Sequence, residues 1–396
     1  MALVIRDFDD ATFNPFIVSE KIAGQGAVSA IYPELRRLRR EKSVWAMDPR
    51  LHFGTATDAT MADKKKWTVL AHADVLHVLT NPGVFSSRPL ETNLGQMFGK
   101  TITAMDAPEH RDYRMLFQKA FAPNMLDDWK QRMVPGIVNR LVDKFIDRGH
   151  AELISEFSLH FPFQFISELL ALPEADRPIF HKLAFAQTTV RYDQEHALEG
   201  GRKLGEYLKG LIEERRENPP TADDFVHVLA MAELDGERLP EIVLISFLRQ
   251  LMNAAGDTSY HGFSNLMAGL LRHRDQFDAV LANRALVSDV IEEGLRWESP
   301  IVYLERGPTQ RTELAGETFE PGDHIYVAIG AANRDETVHD DPDSFNIFRK
   351  KQRHMAFGQG PHICLGQHLA RAEVTVALNA LLDRLPNLRL DPNADE

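Results

Sequence analysis

The longest helical pattern in the sequence runs from residue 239 to about residue 272. Apolar residues recur there at steps of three and four, which predicts a buried helix of about 50 Å at 1.5 Å per residue. Its apolar positions are Ile242, Ile245, Leu248, Leu251, Met252 and Ala255. In its middle, Gly256 lowers helix propensity, and Thr258 and Ser259 can hydrogen-bond back to carbonyl groups. This predicts a distortion that either relieves packing at a helix crossing or opens a groove for a small polar ligand.

Similar periodicity predicts further helices along most of the chain. They are expected over residues 26–41, 73–79, 125–146, 153–172, 177–190, 197–217, 287–297 and 364–385, with another beginning near residue 106. Alternating positions predict a short hairpin within residues 52–70, and strands of a small sheet over residues 301–306 and 323–335. Many helices with a segregated minor sheet indicate a mainly α protein, α+β in arrangement.

Two stretches lack periodicity. Residues 81–104 form a long irregular passage that contains Leu90, Met97 and Phe98. A loop of this length in a compact protein is usually disordered or functional, and its apolar content predicts that it covers a pocket. Residues 333–353 are a coil rich in Asp, Pro, Arg and Lys.

The composition of the chain limits the classes of protein to which it can belong. The 396 residues are 44% hydrophobic and 26% charged, with no linker or low-complexity run, so we expect one domain over residues 1–396. No window approaches 18 uncharged apolar residues, which predicts no membrane partner. The formal net charge of −13 argues against a nucleic-acid partner. The single cysteine excludes an internal disulfide and predicts a reducing, cytoplasmic location.

That cysteine lies in the stretch FGQGPHICLG, from Phe357 to Gly366. Three glycines and a proline predict a tight loop whose backbone approaches another group closely. Cys364 precedes a predicted buried helix, whose dipole and free amides would favour a thiolate. The residue is therefore a buried structural cysteine, a nucleophile with His362 as its base, or a metal-bound thiolate.

Two further pairs share a helix face. His110 and Arg114 are four residues apart, and Glu293 and Arg296 are three apart. Taken alone, each pair is typical of solvated side chains or a surface salt bridge of small value.

The order and spacing of these motifs resemble the cytochrome P450 family of haem-thiolate monooxygenases. The loop fits that family's Phe-Gly-x-Gly-x-His-x-Cys-x-Gly pattern at every fixed position. The helix Glu293-Gly-Leu-Arg296 fits its Glu-x-x-Arg pattern, and Ala255-Gly256-Asp257-Thr258 fits its oxygen-activating helix. The resemblance covers about residues 26–390. It implies a cytochrome P450 fold: a large helical unit with small β-sheets, and haem b between the long central helix and the cysteine-loop helix.

The resemblance also implies roles for individual residues. Cys364 would be the axial thiolate of the haem iron, a ligand that favours O–O cleavage. Cofactor-binding residues would be His110, Arg114, Arg306, Phe357, His362 and Cys364, with the two histidines and two arginines pairing with the haem propionates. Asp257 and Thr258 would be catalytic and supply the protons that O–O cleavage consumes. Glu293 and Arg296 would form a structural lock behind the cysteine loop.

The sequence departs from the family pattern at two positions. Ser344 stands where the family usually has an arginine, the third member of the lock, so another residue completes the lock or the lock is weaker. Ala255 stands where a glycine is common, and Gly256 follows it, so the oxygen groove is expected to be displaced by one residue.

Substrate-binding residues are predicted by their position along the chain: Leu90, Met97, Phe98, Phe185, Leu251, Met252, Ala255, Val302 and Tyr303. This lining predicts a hydrophobic organic substrate, oxidised with O₂. No phosphate-cradling motif indicates a fused reductase, so we expect an external ferredoxin-type donor. A basic run, Arg349, Lys350, Lys351 and Arg353, would attract it, or is an ordinary solvated run. The alternatives are peroxide-driven oxidation or isomerisation, a non-catalytic haem sensor or carrier, and a thiol hydrolase.

Overall fold

The protein is described by a computed structural model that covers residues 4–18, 31–55, 61–121, 129–190, 193–220 and 224–393. Helices carry most of its buried hydrophobic residues. In chain order they are α1 Ile31–Glu41, α2 Pro49–His52, α3 His72–Thr80, α4 Leu94–Phe98, α5 Glu109–Lys119, α6 Val134–Val142, α7 Phe161–Leu169, α8 Arg177–Ala186, α9 Gln194–Glu217, α10 Phe225–Ala230, α11 Glu241–Arg272, α12 Arg274–Ala282, α13 Val287–Trp297, α14 Ile329–Ala332 and α15 Gln367–Arg384. Short 3-10 or π-helical turns join several of them, including Gln187–Thr189 between α8 and α9.

The strands are short and form small sheets. They are β1 Val44–Trp45, β2 Lys66–Val69, β3 Phe85–Ser86, β4 Glu233–Leu234, β5 Glu237–Arg238, β6 Leu304–Pro308, β7 Thr312–Leu314, β8 Glu317–Phe319 and β9 His324–Val327. The largest sheet has the order β1-β2-β9-β6-β3, in which β2 and β9 are parallel and the other pairs antiparallel. A separate hydrophobic cluster packs on this sheet. The predicted class, mainly α with a segregated minor sheet, is confirmed.

The central helix α11 is continuous over 32 residues, so the predicted mid-helix distortion does not interrupt it. A Cβ atom at Gly256 would lie 2.6 Å from Cζ of Phe163 on α7. The glycine therefore allows close packing where α7 and α11 meet, the first of the two explanations offered by the sequence. Since Gly256 faces α7, it does not open the groove, and the predicted displacement of the groove to this residue is wrong.

Several element predictions need correction. Helix α1 begins at Ile31, and residues 26–30 lie outside the described residues. In the segment 52–70, of which residues 56–60 lie outside the described residues, the described strand β2 pairs with β1 and β9 and not within a hairpin of this segment. The segment 81–104 contains β3, α4 and two 3-10 turns. The predicted strand 323–335 ends at Val327 and is followed by α14. Because all four residues of α14 are buried, the sequence there has no alternation of polar and apolar residues that would distinguish a strand from a helix.

Within the described ranges, no helix is both long enough and apolar enough to cross a membrane.

Candidate active site

A cavity of about 850 Å³ lies between the central helix α11 and the cysteine loop. Its wall also includes residues of α4, α5, β6, α15 and the turn Gln187–Thr189. Six of the predicted substrate residues line it: Leu90, Met97, Phe98, Leu251, Ala255 and Tyr303. The wall is mostly apolar, which suits a hydrophobic ligand.

Three predicted substrate residues do not line the cavity. Phe185 packs against Phe16, with 4.7 Å between ring centroids, and is not part of the cavity wall. Met252 is fully buried in the helical core. Val302 packs against the short helix α14, where a Cβ at Gly330 would lie 3.1 Å from its Cγ1. Sequence position placed these residues near the cavity but did not reveal which way they face.

The cysteine loop depends on two glycines with left-handed backbone conformations, Gly358 at φ +70° and Gly360 at φ +73°. A Cβ at Gly360 would collide with the carbonyl oxygen of Leu79. The loop is closed by a 2.8 Å hydrogen bond from the Cys364 amide to the Phe357 carbonyl. Cys364 lies three residues before α15 and faces the cavity.

The helix terminus alone does not make the Cys364 thiol a thiolate. Burial raises the pKa of Cys364, and the Gly366 amide and the guanidinium groups of Arg114 and Arg371 offset only part of this effect. The expectation that the helix dipole would suffice is therefore wrong. A bound metal ion deprotonates a coordinating thiol outright, so a metal ligated by Cys364 would supply the thiolate form that burial disfavours.

Four basic side chains, His110, Arg114, Arg306 and His362, lie together in the cavity wall. The rings of His110 and His362 have centroids 3.9 Å apart, and Nη2 of Arg114 donates to the carbonyl of Ile363 at 2.6 Å. Burial lowers the pKa of each of the four, to about 3 for His362 and about 10 for Arg306. The cationic neighbours lower the pKa of the two histidines further.

Among the described residues, none of these four side chains forms an ion pair with a carboxylate, although Asp106 and Glu305 act on Arg306 at longer range. Nε2 of His110 is buried and has no hydrogen-bond partner within the described ranges, and Arg306 donates to the backbone carbonyl of Glu305. Buried cations and an unpartnered polar nitrogen are costly unless a ligand supplies negative charge and hydrogen bonds. A ligand with two carboxylates beside Cys364 satisfies the cluster, and haem b fits that requirement.

Glu293 and Arg296 are a buried pair, 4% and 3% exposed, and not the surface salt bridge expected for such a pair in isolation. Arg296 donates two parallel hydrogen bonds to the Glu293 carboxylate, of 2.8 and 2.9 Å. It also donates to the backbone carbonyls of Asn333, Pro342 and Ser344 at 2.7 to 3.1 Å. The pair therefore fixes the coil that leads to the cysteine loop onto helix α13.

The third member of this lock is Arg349. Its Nε lies 2.8 Å from Oε2 of Glu293, as an ion pair whose N–H is not directed at the oxygen. Its Nη2 donates to the Ser344 carbonyl at 2.7 Å. Arg349 thus supplies the positive charge absent at Ser344. It was predicted as part of a basic docking run, and this inward position removes it from that surface.

A network that sequence reasoning missed supports the cysteine loop from behind. The Arg371 guanidinium lies 4.4 Å from the centroid of the Phe357 ring and makes hydrogen bonds of 2.6 and 3.0 Å to Glu292. Nε2 of His354 lies 3.1 Å from the same carboxylate. Although burial alone would raise it, the hydrogen bonds from His354 and Arg371 hold the pKa of Glu292 at about 2.

Asp257 and Thr258 both line the cavity from the central helix. Thr258 Oγ1 donates to the carbonyl of Ala254 at 2.6 Å, and Asp257 Oδ1 lies 3.6 Å from Nε2 of His261. Glu373 of α15 lies in the same wall, and burial raises its pKa to about 8. The wall thus contains groups that can hold and move protons.

A single cysteine on a glycine loop, with a basic cluster beside it and a largely apolar cavity above, is the arrangement expected of a haem-thiolate protein. The family model for cytochrome P450 matches residues 164–391, more than half of the chain, and the chain belongs to the cytochrome P450 family. Proteins of this family bind haem b and act as monooxygenases, and the predicted fold, cofactor and enzyme class are confirmed.

Named relatives perform different oxidations. The methyl-branched lipid omega-hydroxylase of Mycobacterium tuberculosis is 32% identical over 344 residues, which cover 83% of this chain and 79% of the relative. The cyclomarin C epoxidase CymV of Salinispora arenicola is 30% identical over 360 residues, covering 87% and 89%. The crystal structure of CYP109E1 from Bacillus megaterium in complex with testosterone superposes with a TM-score of 0.81. It is 27% identical and covers 92% of this chain and 93% of that chain.

Proposed function

We propose that this chain is a single-domain cytoplasmic monooxygenase that inserts one oxygen atom of O₂ into a hydrophobic organic substrate. The observation that carries the proposal is the apolar cavity between Cys364 and the helix face of Asp257 and Thr258. Haem b, when bound, supplies the reduction of O₂ and the transfer of one oxygen atom to the substrate. The sole cysteine supports a reducing location.

The residues present suit this cofactor. The Cys364 thiolate would ligate the iron, and Phe357 would pack beside the ligating sulfur. His110, Arg114, Arg306 and His362 would donate to the two propionates in charge-assisted hydrogen bonds. The lock of Glu293, Arg296 and Arg349 would hold the loop at a fixed position behind the cofactor.

Proton supply is assigned to Asp257 and Thr258. O–O cleavage consumes two protons in a pocket that otherwise excludes water. The Thr258 hydroxyl donates to Ala254 and keeps its lone pairs free to accept a proton from a neighbour. The Asp257 carboxylate, about 40% exposed beside His261, can renew that proton from solvent. Because the hydroxyl has only one proton, it must rotate away from the Ala254 carbonyl to deliver that proton, so back-bonding and relay alternate at Thr258.

Thr258→Ala is expected to bind substrate and consume electrons but release hydrogen peroxide in place of most of the product. The reason is that removing the hydroxyl leaves reduced oxygen without its proton donor. The measurement is the ratio of peroxide and product to electron donor oxidised. Ser259→Ala, the neighbouring hydroxyl in the same wall, is the matched control and should stay coupled. Full coupling in Thr258→Ala, with uncoupling in Ser259→Ala, would move the proton route to Ser259.

The substrate class is proposed from the wall of the cavity. Leu90, Met97, Phe98 and Leu251 present apolar surface to it. The names of two relatives support this class, since one acts on a methyl-branched lipid and another was crystallised with testosterone. A screen of apolar compounds for haem spin-state shifts tests the proposal. Shifts confined to strongly polar compounds would contradict it.

We also propose that a separate ferredoxin-type protein delivers the electrons. Lys350, Lys351 and Arg353 are exposed, and Arg353 borders a small cleft of about 80 Å³ that also includes Phe357. Lys351 lies 2.6 Å from Asp289, which neutralises part of its charge. Lys350 and Arg353 on an otherwise acidic protein would therefore attract an acidic donor to the cysteine-loop side.

Charge reversal at this surface is expected to slow electron delivery. Lys350→Glu with Arg353→Glu should reduce donor-dependent haem reduction several-fold at low salt, measured by stopped flow, because it removes the attractive charge. Substrate-induced spin shifts should be unchanged. Lys144→Glu changes an exposed lysine elsewhere and should leave the rate unaltered. Equal rates for the double variant and the unmodified protein would rule out this docking surface.

A further inference from the structure

Arg249 is a largely buried cation on the central helix α11. Burial alone lowers the pKa of its guanidinium, to about 10, and no carboxylate of the described residues contributes to that shift. Removing a guanidinium from water without an opposite charge is unfavourable, and an apolar side chain would avoid the cost. The hydrogen bonds of the guanidinium must therefore offset the cost of its burial.

Those hydrogen bonds join two walls of the cavity. Nη2 of Arg249 donates to the backbone carbonyl of Met97 on α4, and Met97 lines the cavity. Nε and Nη2 both lie 3.3 Å from Oε1 of Gln187, at the start of the turn that follows α8. Thr188, the next residue of this turn, also lines the cavity. One side chain thus connects the α4 wall to the α8 and α9 side.

Helix α9 is shaped to receive this guanidinium. A Cβ atom at Gly201 would collide with Nη2 of Arg249, and would lie 3.4 Å from its Cζ. One turn further along, a Cβ at Gly205 would lie 3.7 Å from Cδ of Arg249, an ordinary contact. Glycine is therefore required at position 201 for the observed placement of the guanidinium, and not at position 205.

Neighbouring contacts join α11 at several points to the segment 94–104, which contains α4. Gln250 Nε2 donates to Thr103 Oγ1 at 2.8 Å, and Gly99, at φ +86°, lies directly against Ser246. These contacts join α11 to that one segment only. Arg249 differs from them because it also reaches Gln187 and is seated on α9.

We propose that Arg249 is a positioning residue that ties the α4 wall of the cavity to the α8–α9 wall and so slows the passage of ligands. Separation of these two walls breaks the hydrogen bonds of Arg249 on at least one side. Loss of the tie lowers the barrier to opening and raises the rates of ligand entry and exit together. The inference rests on the proposed function in one respect, which is that the ligand binds in the cavity that would hold haem.

The test compares two glycine-to-alanine variants of the haem-loaded protein. Gly201→Ala displaces the guanidinium without changing any charge, and Gly205→Ala makes the same change on the same helix with no collision. Binding and release of phenylimidazole are followed by stopped-flow absorbance. Gly201→Ala should show both rates raised several-fold with a smaller change in Kd, and Gly205→Ala should match the unmodified protein.

A double variant shows whether the effect passes through Arg249. Arg249→Met should raise both rates, and adding Gly201→Ala to it should change them little further. If Gly201→Ala does not yield haem-loaded protein, Arg249→Lys replaces it, since lysine cannot reach both acceptors as the guanidinium does. A merely structural role would lower stability without altering the two rates.

The outcomes separate this inference from the proposed function. Normal haem-thiolate spectra with equal rates in all variants would overturn the tie while leaving the monooxygenase proposal intact. Additive effects of Gly201→Ala and Arg249→Met would also overturn it, because the alanine would then act independently of the guanidinium. Failure of the unmodified protein to show thiolate ligation would instead contradict the proposed function.

Discussion

Arg296→Ala is expected to lower the stability of the protein sharply and to reduce its haem content. The arginine neutralises the buried carboxylate of Glu293 and satisfies three backbone carbonyls of the coil that precedes the cysteine loop. Removing one partner of a buried ion pair costs about 3–5 kcal/mol. That cost is a large part of the total stability of about 5–15 kcal/mol typical of folded proteins. Arg349 alone does not replace the lost contacts, since its N–H is not directed at Glu293.

The measurement is the urea midpoint of unfolding together with the haem content of the purified protein. Arg296→Lys should retain part of the stability, because it keeps the charge but cannot make the paired hydrogen bonds. Arg37→Ala is the matched control, since Arg37 makes the same kind of pair with Glu34 three residues away on an exposed face. A midpoint for Arg296→Ala equal to that of the control would contradict the role of the lock.

Cys364→His is expected to keep haem but lose oxygen-dependent turnover. The basic cluster of His110, Arg114, Arg306 and His362 remains to pair with the propionates, so retention of the cofactor does not depend on sulfur alone. A neutral imidazole cannot push electron density toward iron as a thiolate does, and O–O cleavage is then no longer favoured. Product formation should therefore fall below detection in the presence of donor and O₂.

Two measurements check this result. Haem content reports whether the cofactor is retained, and product analysis reports turnover. The matched control is Cys364→Ala, which should lose the strong ligand and with it part of the haem. Turnover in Cys364→His comparable to the unmodified protein would show that Cys364 is not the ligand on which the reaction depends.

Local patterns predicted the elements that position the site. The central helix, the helix Val287–Trp297 and the glycine loop around Cys364 each follow from short-range periodicity or from backbone geometry that glycine permits. The mid-helix glycine was ambiguous in sequence. Only the position of Phe163 on α7 distinguishes a helix crossing from an open groove.

Long-range contacts were not predictable in the same way. Arg349 completes the lock 56 positions away from Glu293 in sequence, and Arg371 reaches Glu292 across 79 positions. Neither pairing has a local sequence signal. The pKa of the Cys364 thiol likewise depends on packing that local sequence does not show, since burial raises it more than the Gly366 amide and two guanidinium groups lower it.

Side-chain direction was the main error in predicting the cavity wall. Phe185 belongs to a helix that is apolar on several faces, so its position near the cavity did not determine where it points. Arg249 is the converse case. Nothing in the sequence distinguishes it from a surface arginine until Gly201 and Met97 are seen to surround its guanidinium.

The most direct test of the account is the absorbance spectrum of the purified, reduced protein with carbon monoxide. Thiolate ligation by Cys364 predicts the long-wavelength band characteristic of haem-thiolate proteins, and Cys364→His should lose that band. Purification without haem, or a histidine-type spectrum of the unmodified protein, would contradict the account.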